Sequence, residues 1–244
     1  MGSFSILVLF MYAASLGFSL LVILSAIWRI KKSVRLFFYC VKTDIVEDKY
    51  LKIIGEEMMA KDKMKALIIN CSPVCSGATA EIATLVSEQL SNRYNVKSIC
   101  IDDYTFAFCK GCRSCHNTAK CVMSDATVIE DIMDEFDAAD IIVSVSPSYW
   151  ADIPGQFKAF IDRCTPWCNT HEPHATIRSG KRGYSIALRT GPSMPECERI
   201  IQSIEHFYGH LEIQRVKSLG LCSVEYKEDV EPRKKEIIDF CEDI

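Results

Sequence analysis

Four cysteines stand close together in the segment 109–121, which reads CKGCRSCHNTAKC. They are Cys109, Cys112, Cys115 and Cys121, at the spacing C-x2-C-x2-C-x5-C. Thiols at such spacing serve as metal ligands, as a redox couple or as part of a disulfide framework. Each use implies a different kind of protein, so the rest of the sequence has to discriminate among them.

The chain as a whole does not fit a disulfide framework. It has 244 residues and 13 cysteines, an odd number in a chain much larger than the small secreted domains that depend on disulfides. Several cysteines stand among apolar residues, as Cys100 does in SICID, a context typical of buried reduced thiols. The net charge of −4 also provides no general basic field, which argues against a nucleic-acid function.

The N-terminal segment predicts a membrane anchor. Residues 4–28 contain no charged side chain, and as a helix they would be about 37 Å long, more than the roughly 30 Å of a bilayer core. The basic run RIKKSVR follows at residues 29–35, so the positive-inside rule predicts a single-pass protein whose remaining chain is cytoplasmic. Cytoplasmic thiols stay reduced, which favours metal or redox chemistry for the cysteines.

The hydrophobic pattern predicts three regions: an anchor at 1–28, a juxtamembrane segment and linker at 29–63, and one domain at 64–244. In the domain, short apolar runs without clean alternation predict strands covered on both faces, and stripes of three- and four-residue steps between them predict helices. The strands are predicted at 64–70, 96–102, 140–146, 183–190 and 212–219, and a last helix at 228–242. This order predicts a doubly wound five-stranded parallel sheet, whose ligands bind beyond the carboxyl ends of the strands.

Two loops at those ends carry suitable groups. The loop CSPVCSGAT (71–79) offers the hydroxyls of Ser72, Ser76 and Thr79, a flexible Gly77 and the free N–H groups of a helix start. Together these groups suit a phosphate. Such loops are as often ordinary helix caps, which is the alternative. The loop SPSYWADIPGQ (146–156) offers Tyr149 and Trp150 as a wall for a planar ring, with packing of the loop on its own domain as the alternative.

The three segments together are more specific than each alone. INCSPVCSGAT, CKGCRSCHNTAKC with SDATVIEDI, and SVSPSYWADIPGQFKAFIDR resemble the NAD(P)H-dependent FMN reductases of the flavodoxin-like superfamily, and among them the iron–sulfur flavoproteins. The resemblance covers residues 64 to about 220 and implies a flavodoxin-like fold. The loop departs from the family pattern at Cys71, Val74 and Ala78, but backbone donors for a phosphate survive those changes.

The resemblance also implies which residues bind the cofactor. The FMN phosphate would rest on the first loop and the isoalloxazine on the third, with a further contact after the fourth strand and with the nicotinamide of NAD(P)H stacking on the flavin. The residues so implied are Ser72, Gly77, Ala78 and Thr79 for the phosphate, Pro147, Ser148, Tyr149 and Trp150 for the ring, and Thr190 and Gly191 for the third contact. Lys158, Asp162 and Arg163 are interpreted as structural, through pairing and capping.

The resemblance implies a [4Fe–4S] cluster on the four cysteines, because in the iron–sulfur flavoproteins a compact run of this form supplies all four ligands. Zinc, a dithiol–disulfide couple beside the flavin and purely structural thiols are the alternatives. The segment CTPWCNTHEPH contains Cys164, Cys168, His171 and His174 but lacks the spacing of a known metal site, so we interpret it as a loop.

The leading functional hypothesis is a membrane-anchored flavoprotein oxidoreductase that takes electrons from NAD(P)H or a reduced carrier. The alternatives are an electron-transfer module between a ferredoxin-like partner and a membrane component, and a thiol or metal redox sensor. The resemblance further implies a homo-oligomer, because related flavoproteins commonly form one.

Overall fold

The structure is a computed structural model, and it describes residues 63–244. Five parallel strands form one sheet in the order β2-β1-β3-β4-β5. They are β1 (Lys65–Asn70), β2 (Asn95–Cys100), β3 (Ile141–Pro147), β4 (Arg182–Leu188) and β5 (Gln214–Leu221). The predicted flavodoxin-like sheet is confirmed, and each strand lies within about two residues of its predicted bounds.

Helices join the strands. They are α1 (Ala78–Ser91), α2 (Cys115–Thr118), α3 (Ala126–Ala138), α4 (Gly155–Arg163), α5 (Met194–His210) and α6 (Lys234–Glu242), with 3-10 turns at Ile101–Asp103, Thr165–Trp167 and Lys227–Arg233. The predicted last helix begins as the 3-10 turn Lys227–Arg233, which contains Pro232. A proline has no N–H to donate and its ring clashes with the preceding turn, so the α-helix starts only after it.

The sheet is covered on both faces, because alternate residues of each central strand point to opposite sides. Leu67 and Ile142 pack with α3, α4 and α5, whereas Ile68 and Val143 pack with α1 and α6. Strand β3 is buried from Ile141 to Ser146, which explains its unbroken apolar run. At an order of 25 cal/mol per Å² of buried apolar surface, these two layers dominate the stabilisation of the domain.

The strand order reverses between β1 and β3. The connection from β1 leaves to one side and the connection from β3 to the other, so the loops after these strands diverge at the carboxyl edge. The phosphate-type loop, the cysteine loop and the aromatic loop predicted from the sequence all lie at this edge, after β1, β2 and β3.

The predicted anchor and juxtamembrane segment fall almost wholly outside the described residues. Within residues 63–244, no helix is long and apolar enough to cross a membrane. The membrane anchor therefore stays a prediction.

One glycine permits a close contact between sheet and helix. A Cβ on Gly183 would lie 2.6 Å from Cδ2 of Tyr208 and 2.9 Å from Cγ2 of Ile213. The Tyr208 ring is held there because its hydroxyl donates to Ser144 Oγ at 2.7 Å. Tyr208 is fully buried, so the ring has no space into which it can move.

We predict that Gly183→Ala lowers the free energy of unfolding by about 2–3 kcal/mol, because the added methyl overpacks a filled site. Gly209→Ala is the matched control, since nothing lies within 4 Å of a Cβ at that position on α5. The control should stabilise the protein slightly, by about 0.5–1 kcal/mol. Urea denaturation compares the two variants, and equal midpoints would contradict the packing described here.

Candidate functional site

The loop after β1 is shaped by two buried polar side chains. Asn70 Oδ1 accepts a hydrogen bond from the Ser72 N–H at 3.0 Å, and Asn70 Nδ2 donates to the Val74 carbonyl at 3.3 Å. Ser72 Oγ in turn accepts from the Val74 N–H at 3.0 Å. Ser72 thus already supports the loop turn, a role that the sequence analysis did not assign. Asn70 was missed altogether; its only signal was a polar residue that ends a buried strand.

The helix α1 begins without a side-chain cap. Gly77 occupies the N-cap position with an extended backbone and offers no capping group. The N–H groups of Ala78 and Thr79 find no acceptor among residues 63–244. Open N–H groups and the positive end of the helix dipole form a site that suits a phosphate. No side chain caps this helix, and phosphate binding by the loop stays a prediction.

The loop after β3 is rigid and presents aromatic surface. Tyr149 and Asp152 exchange backbone hydrogen bonds of 2.8 and 3.1 Å across a tight turn. The two residues inside the turn, Trp150 and Ala151, have φ of 54° and 62°, a left-handed conformation that costs a non-glycine residue about 1–2 kcal/mol. The Trp150 side chain is fully exposed and Tyr149 is 43% exposed. Packing on the domain therefore does not explain Trp150.

A network of charges joins the loops after β3 and β4. Ser148 Oγ donates to Glu196 in the first turn of α5, and Arg189 Nη1 lies 2.6 Å from Glu196 Oε2. A Cβ on Gly191 would lie 2.4 Å from Arg189 Nη2, so glycine leaves room for the guanidinium. Thr190 is exposed beside it. The sequence reasoning missed Arg189 and Glu196, because an ion pair between a loop and a later helix has no local motif.

The four cysteines of the loop after β2 line a single recess, together with Arg163. Cys109 and Cys112 are exposed, Cys115 and Cys121 are half-buried, and all four are free thiols. The loop can wrap because three of its residues have left-handed backbones: Gly111, Arg113 and Ala119 have φ of 64°, 58° and 55°. The short helix α2 starts at Cys115 and was not predicted.

The sulfur positions bear on the kind of metal. Within the described residues, no three of these sulfurs lie within 4.8 Å of one another. Four thiolates on one zinc ion, at bonds of about 2.3 Å, stand about 3.8 Å apart. The recess is therefore wider than a closed zinc site. The pKa of Cys115 is raised, mainly because the thiol is partly buried and also because the other three thiols lie nearby. The pKa of Cys112 is lowered by hydrogen bonds with Ser114.

Arg163 fixes both ends of the cysteine loop. Its guanidinium is buried and binds both oxygens of Asp125, at 2.9 and 3.1 Å. It also donates to the Ala107 carbonyl at 2.8 Å and reaches Cys121 Sγ at 3.6 Å. Pairing was predicted for Arg163, and Lys158 and Asp162 also pair with each other. The contact of Arg163 with a cysteine of the cluster was not predicted.

One expectation about the thiols is wrong. Cys100 is not a reduced buried thiol, because it forms a disulfide with Cys75. The bond joins the loop after β1 to the end of β2. Cys75, Cys100 and Asp103 form the one group of three metal-ligating side chains found within 4.8 Å in residues 63–244, but the two sulfurs are already bonded to each other.

The segment CTPWCNTHEPH packs against the cysteine loop. His171 stacks on His116, with ring centroids 4.3 Å apart, while Cys164 is buried at the C-terminal end of α4. Cys168 lies 3.0 Å from Thr170 Oγ1. Within the part of the chain described, no three metal-ligating side chains of this segment lie within 4.8 Å of one another.

Comparison with known proteins decides the family. The family model of the NADPH-dependent FMN reductases matches residues 64–223. The chain belongs to this family of oxidoreductases. The match spans the sheet from β1 to β5 and therefore includes all the loops just described.

Two curated relatives of this FMN reductase-family chain are informative. An iron–sulfur flavoprotein of Archaeoglobus fulgidus is 28% identical over 134 residues, which cover 54% of this chain and 58% of that protein. An FMN-dependent NADH:quinone oxidoreductase of Sinorhizobium fredii is 24% identical over 180 residues, which cover 69% of this chain and 82% of that protein. The chain thus spans little more than half the length of the iron–sulfur relative.

Solved structures support the fold. An NAD(P)H:quinone oxidoreductase from Methanothermobacter marburgensis has a TM-score of 0.59 at 11% identity, covering 73% of this chain and 96% of its own. An FMN-dependent NADH-azoreductase from Bacillus anthracis, solved in complex with FMN, has a TM-score of 0.56 at 15% identity, covering 73% and 98%. At these identities the likeness concerns the fold alone.

The Arg163–Asp125 pair generates a prediction about acid stability. Hydrogen bonds from Arg163 and from the Ala107 N–H lower the pKa of Asp125 from 3.8 to about 2. Because the folded pKa lies below the unfolded value, this stabilisation is present above about pH 4 and is lost as the pH falls toward 2. We predict that Asp125→Asn lowers the free energy of unfolding by about 3 kcal/mol at pH 7, since a buried guanidinium loses its partner.

Melting temperatures between pH 7 and pH 2 test this. The variant should lose less stability between pH 4 and pH 2 than the parent chain does. Asp162→Asn is the control, because that carboxylate is 48% exposed and its ion pair is worth at most about 1 kcal/mol. A variant that keeps the full acid dependence of the parent would contradict this role of Asp125.

Proposed function

We propose that this chain is an FMN-dependent oxidoreductase that takes electrons from NAD(P)H or a reduced carrier and passes them through a [4Fe–4S] cluster to an acceptor. One observation carries the proposal. The open N-terminus of α1, the exposed aromatic loop after β3 and the four-cysteine recess all belong to the carboxyl edge of one sheet.

The residues present fit FMN. Ser76, Gly77, Ala78 and Thr79 would hold the phosphate, mainly through backbone N–H groups that have no other acceptor among the described residues. When bound, FMN supplies hydride acceptance and the exchange between two-electron and one-electron steps. The protein supplies binding and orientation, and we assign no side chain as a general acid or base.

Hydrogen bonds hold the loop after β3 in a fixed shape. Ser148 is anchored twice, through its N–H to the Leu188 carbonyl at 2.8 Å and through its hydroxyl to Glu196. Tyr149 and Trp150 then present flat apolar surface at the rim, on which a planar ring can stack. A nicotinamide would approach the same open surface, so no second nucleotide pocket is required.

The cysteine recess fits a cluster better than a single ion. Its sulfurs are spread wider than four ligands on one zinc ion would be, and all four thiols are free. Arg163 also lies at the recess, where its Nη2 is 3.6 Å from Cys121 Sγ. Zinc and bare thiols remain the alternatives that metal analysis distinguishes.

A second candidate function is an electron-transfer module that is reduced by a ferredoxin-like protein and turns over no NAD(P)H. The exposure of Cys109 and Cys112 favours it, because a protein donor could approach a cluster at this position directly. Membrane attachment through residues 4–28, with the domain on the cytoplasmic side, and assembly into a homo-oligomer belong to the same proposal.

We predict that the full chain, purified anaerobically in detergent, contains FMN and about four iron and four sulfide per chain, the content of one [4Fe–4S] cluster. Cys112→Ser and Cys115→Ser should lose iron but keep FMN. Cys168→Ser is the control, a free thiol outside the recess that should keep both. Absorption spectra with iron, sulfide and flavin analysis measure this result.

Each outcome separates the alternatives. Zinc in place of iron, or no metal, would remove the cluster from the proposal. Absence of flavin would contradict both candidate functions. Steady NAD(P)H oxidation by the loaded chain supports the oxidoreductase, whereas reduction by ferredoxin without NAD(P)H oxidation supports the module.

The anchor is tested separately. We predict that the full chain stays in the membrane pellet after alkaline carbonate extraction, and that the double variant Leu16→Arg with Leu20→Arg does not. Each arginine costs about 2.5–3.5 kcal/mol at the centre of a membrane helix. The control is Leu16→Ile with Leu20→Ile, which should remain in the pellet. Release of the parent chain by carbonate would disprove the anchor.

A further inference from the structure

The disulfide between Cys75 and Cys100 lies where the phosphate loop meets the sheet. Cys75 is two residues before Gly77, the N-cap of α1, and Cys100 is the last residue of β2. In the pairing of β1 with β2, Asn70 stands opposite Cys100. The bond therefore ties the second half of the loop to the neighbouring strand.

Few other contacts restrain residues 75–77 of this loop. The first half is held through Asn70, Ser72 and Val74, as described above. Beyond Val74, residues Cys75 and Ser76 form a turn, and their own N–H groups find no acceptor among residues 63–244. The Gly77 carbonyl accepts the first hydrogen bond of α1, from Glu81 at 3.1 Å. The disulfide is thus the main restraint on the residues immediately before the helix.

The bond is accessible from one side. Cys75 is exposed, whereas Cys100 is 8% exposed. An attacking thiolate can therefore reach the sulfur of Cys75 and not that of Cys100. In thiol–disulfide exchange, Cys75 is therefore the sulfur that is attacked and Cys100 is the leaving group.

The surroundings also suit the reduced state, in which Cys75 and Cys100 are separate thiols. An acceptor stands near each sulfur: Asp103 Oδ1 lies 3.7 Å from Cys75 Sγ, and the Ser72 carbonyl lies 3.7 Å from Cys100 Sγ. Asn70 Nδ2 lies 3.5 Å from Cys100 Sγ as a donor. Both S–H groups would have hydrogen-bond partners without rearrangement of the strands, so both oxidation states can be accommodated.

We propose that Cys75 and Cys100 form a thiol–disulfide exchange site whose oxidation state sets the affinity of the adjacent loop for FMN, and whose reductant is a protein or small molecule of the dithiol class. The effect on FMN rests on the function proposed above. The exchange itself does not.

A thiolate of the dithiol attacks Cys75 Sγ, a mixed disulfide forms, and the Cys75–Cys100 bond breaks with the electron pair leaving on Cys100 Sγ, which takes up a proton. The second thiol of the reductant then attacks its own sulfur in the mixed disulfide and releases Cys75, which is protonated in turn. The dithiol is oxidised to a disulfide, and the protein gains two electrons and two protons.

Reduction removes the restraint just before the phosphate-binding N–H groups. Ser76, Gly77, Ala78 and Thr79 must then be ordered by the ligand itself, which weakens binding. The loss in affinity should be about tenfold, the effect of freeing roughly one backbone residue. The bound flavin would thus be more readily lost when the dithiol pool is reduced.

Differential alkylation of the full chain in detergent tests the exchange. The chain is denatured in a first alkylating reagent, either before or after treatment of the folded protein with dithiothreitol or a thioredoxin-type dithiol protein, and the cysteines still held in disulfides are then reduced and labelled with a second reagent. We expect Cys75 and Cys100 to carry the second label before treatment and the first label after it. The proposal would be overturned if Cys75 and Cys100 both carried the first label without treatment, or if both carried the second label after it.

Fluorescence titration with FMN tests the consequence. Dithiol treatment should raise the Kd about tenfold in the parent chain and in Cys168→Ser, the control. Cys75→Ser should bind FMN as the reduced parent does and should not respond to dithiol. If that variant does not fold, Cys100→Ser serves in its place, and the comparison of the two states of the parent needs no variant. An unchanged Kd, or a response that persists in Cys75→Ser, would overturn the coupling.

The two proposals fail in different ways. No FMN binding in either state would contradict the proposed function and the coupling with it, whereas the labels alone decide whether Cys75 and Cys100 exchange.

Discussion

The parallel pairing of β1 with β3 is the constraint on which the site depends. Parallel strands end at the same edge, and these two neighbours send their connections to opposite faces, so their loops diverge at the point where ligands of such sheets bind. β2 lies on the other side of β1 and adds the cysteine loop to the same edge. Groups that are as far apart in the sequence as Thr79, Cys115 and Trp150 therefore belong to one edge.

Several features that cost stability locally lie at this edge. Helix α1 has no side-chain cap, Trp150 and Ala151 adopt left-handed backbones, and the Trp150 side chain is exposed. The buried guanidinium of Arg163 has an Nε without a partner among the described residues. The core below has two continuous apolar layers that can offset such costs.

The sequence predicted what depends on short-range pattern. The strands followed from apolar runs, and the positions of the three loops followed from the strands. What it missed depends on the register between distant segments. The Cys75–Cys100 bond joins the loop after β1 to the end of β2. The Arg189–Glu196 pair joins a loop to a later helix, and Arg163 reaches Cys121 across 42 positions of the chain. No local spacing signals such contacts, and a reduced Cys100 was therefore expected where a disulfide stands.

The central claim is that the open N-terminus of α1 and the aromatic loop together bind FMN. Calorimetric titration of the flavin-free full chain with FMN and with riboflavin tests this most directly, because the two ligands share the ring and differ in the phosphate. The account predicts one FMN site per chain and an affinity for riboflavin at least about tenfold lower, since two or more charge-assisted hydrogen bonds are lost. Equal affinities for the two ligands, or no binding of FMN, would contradict it.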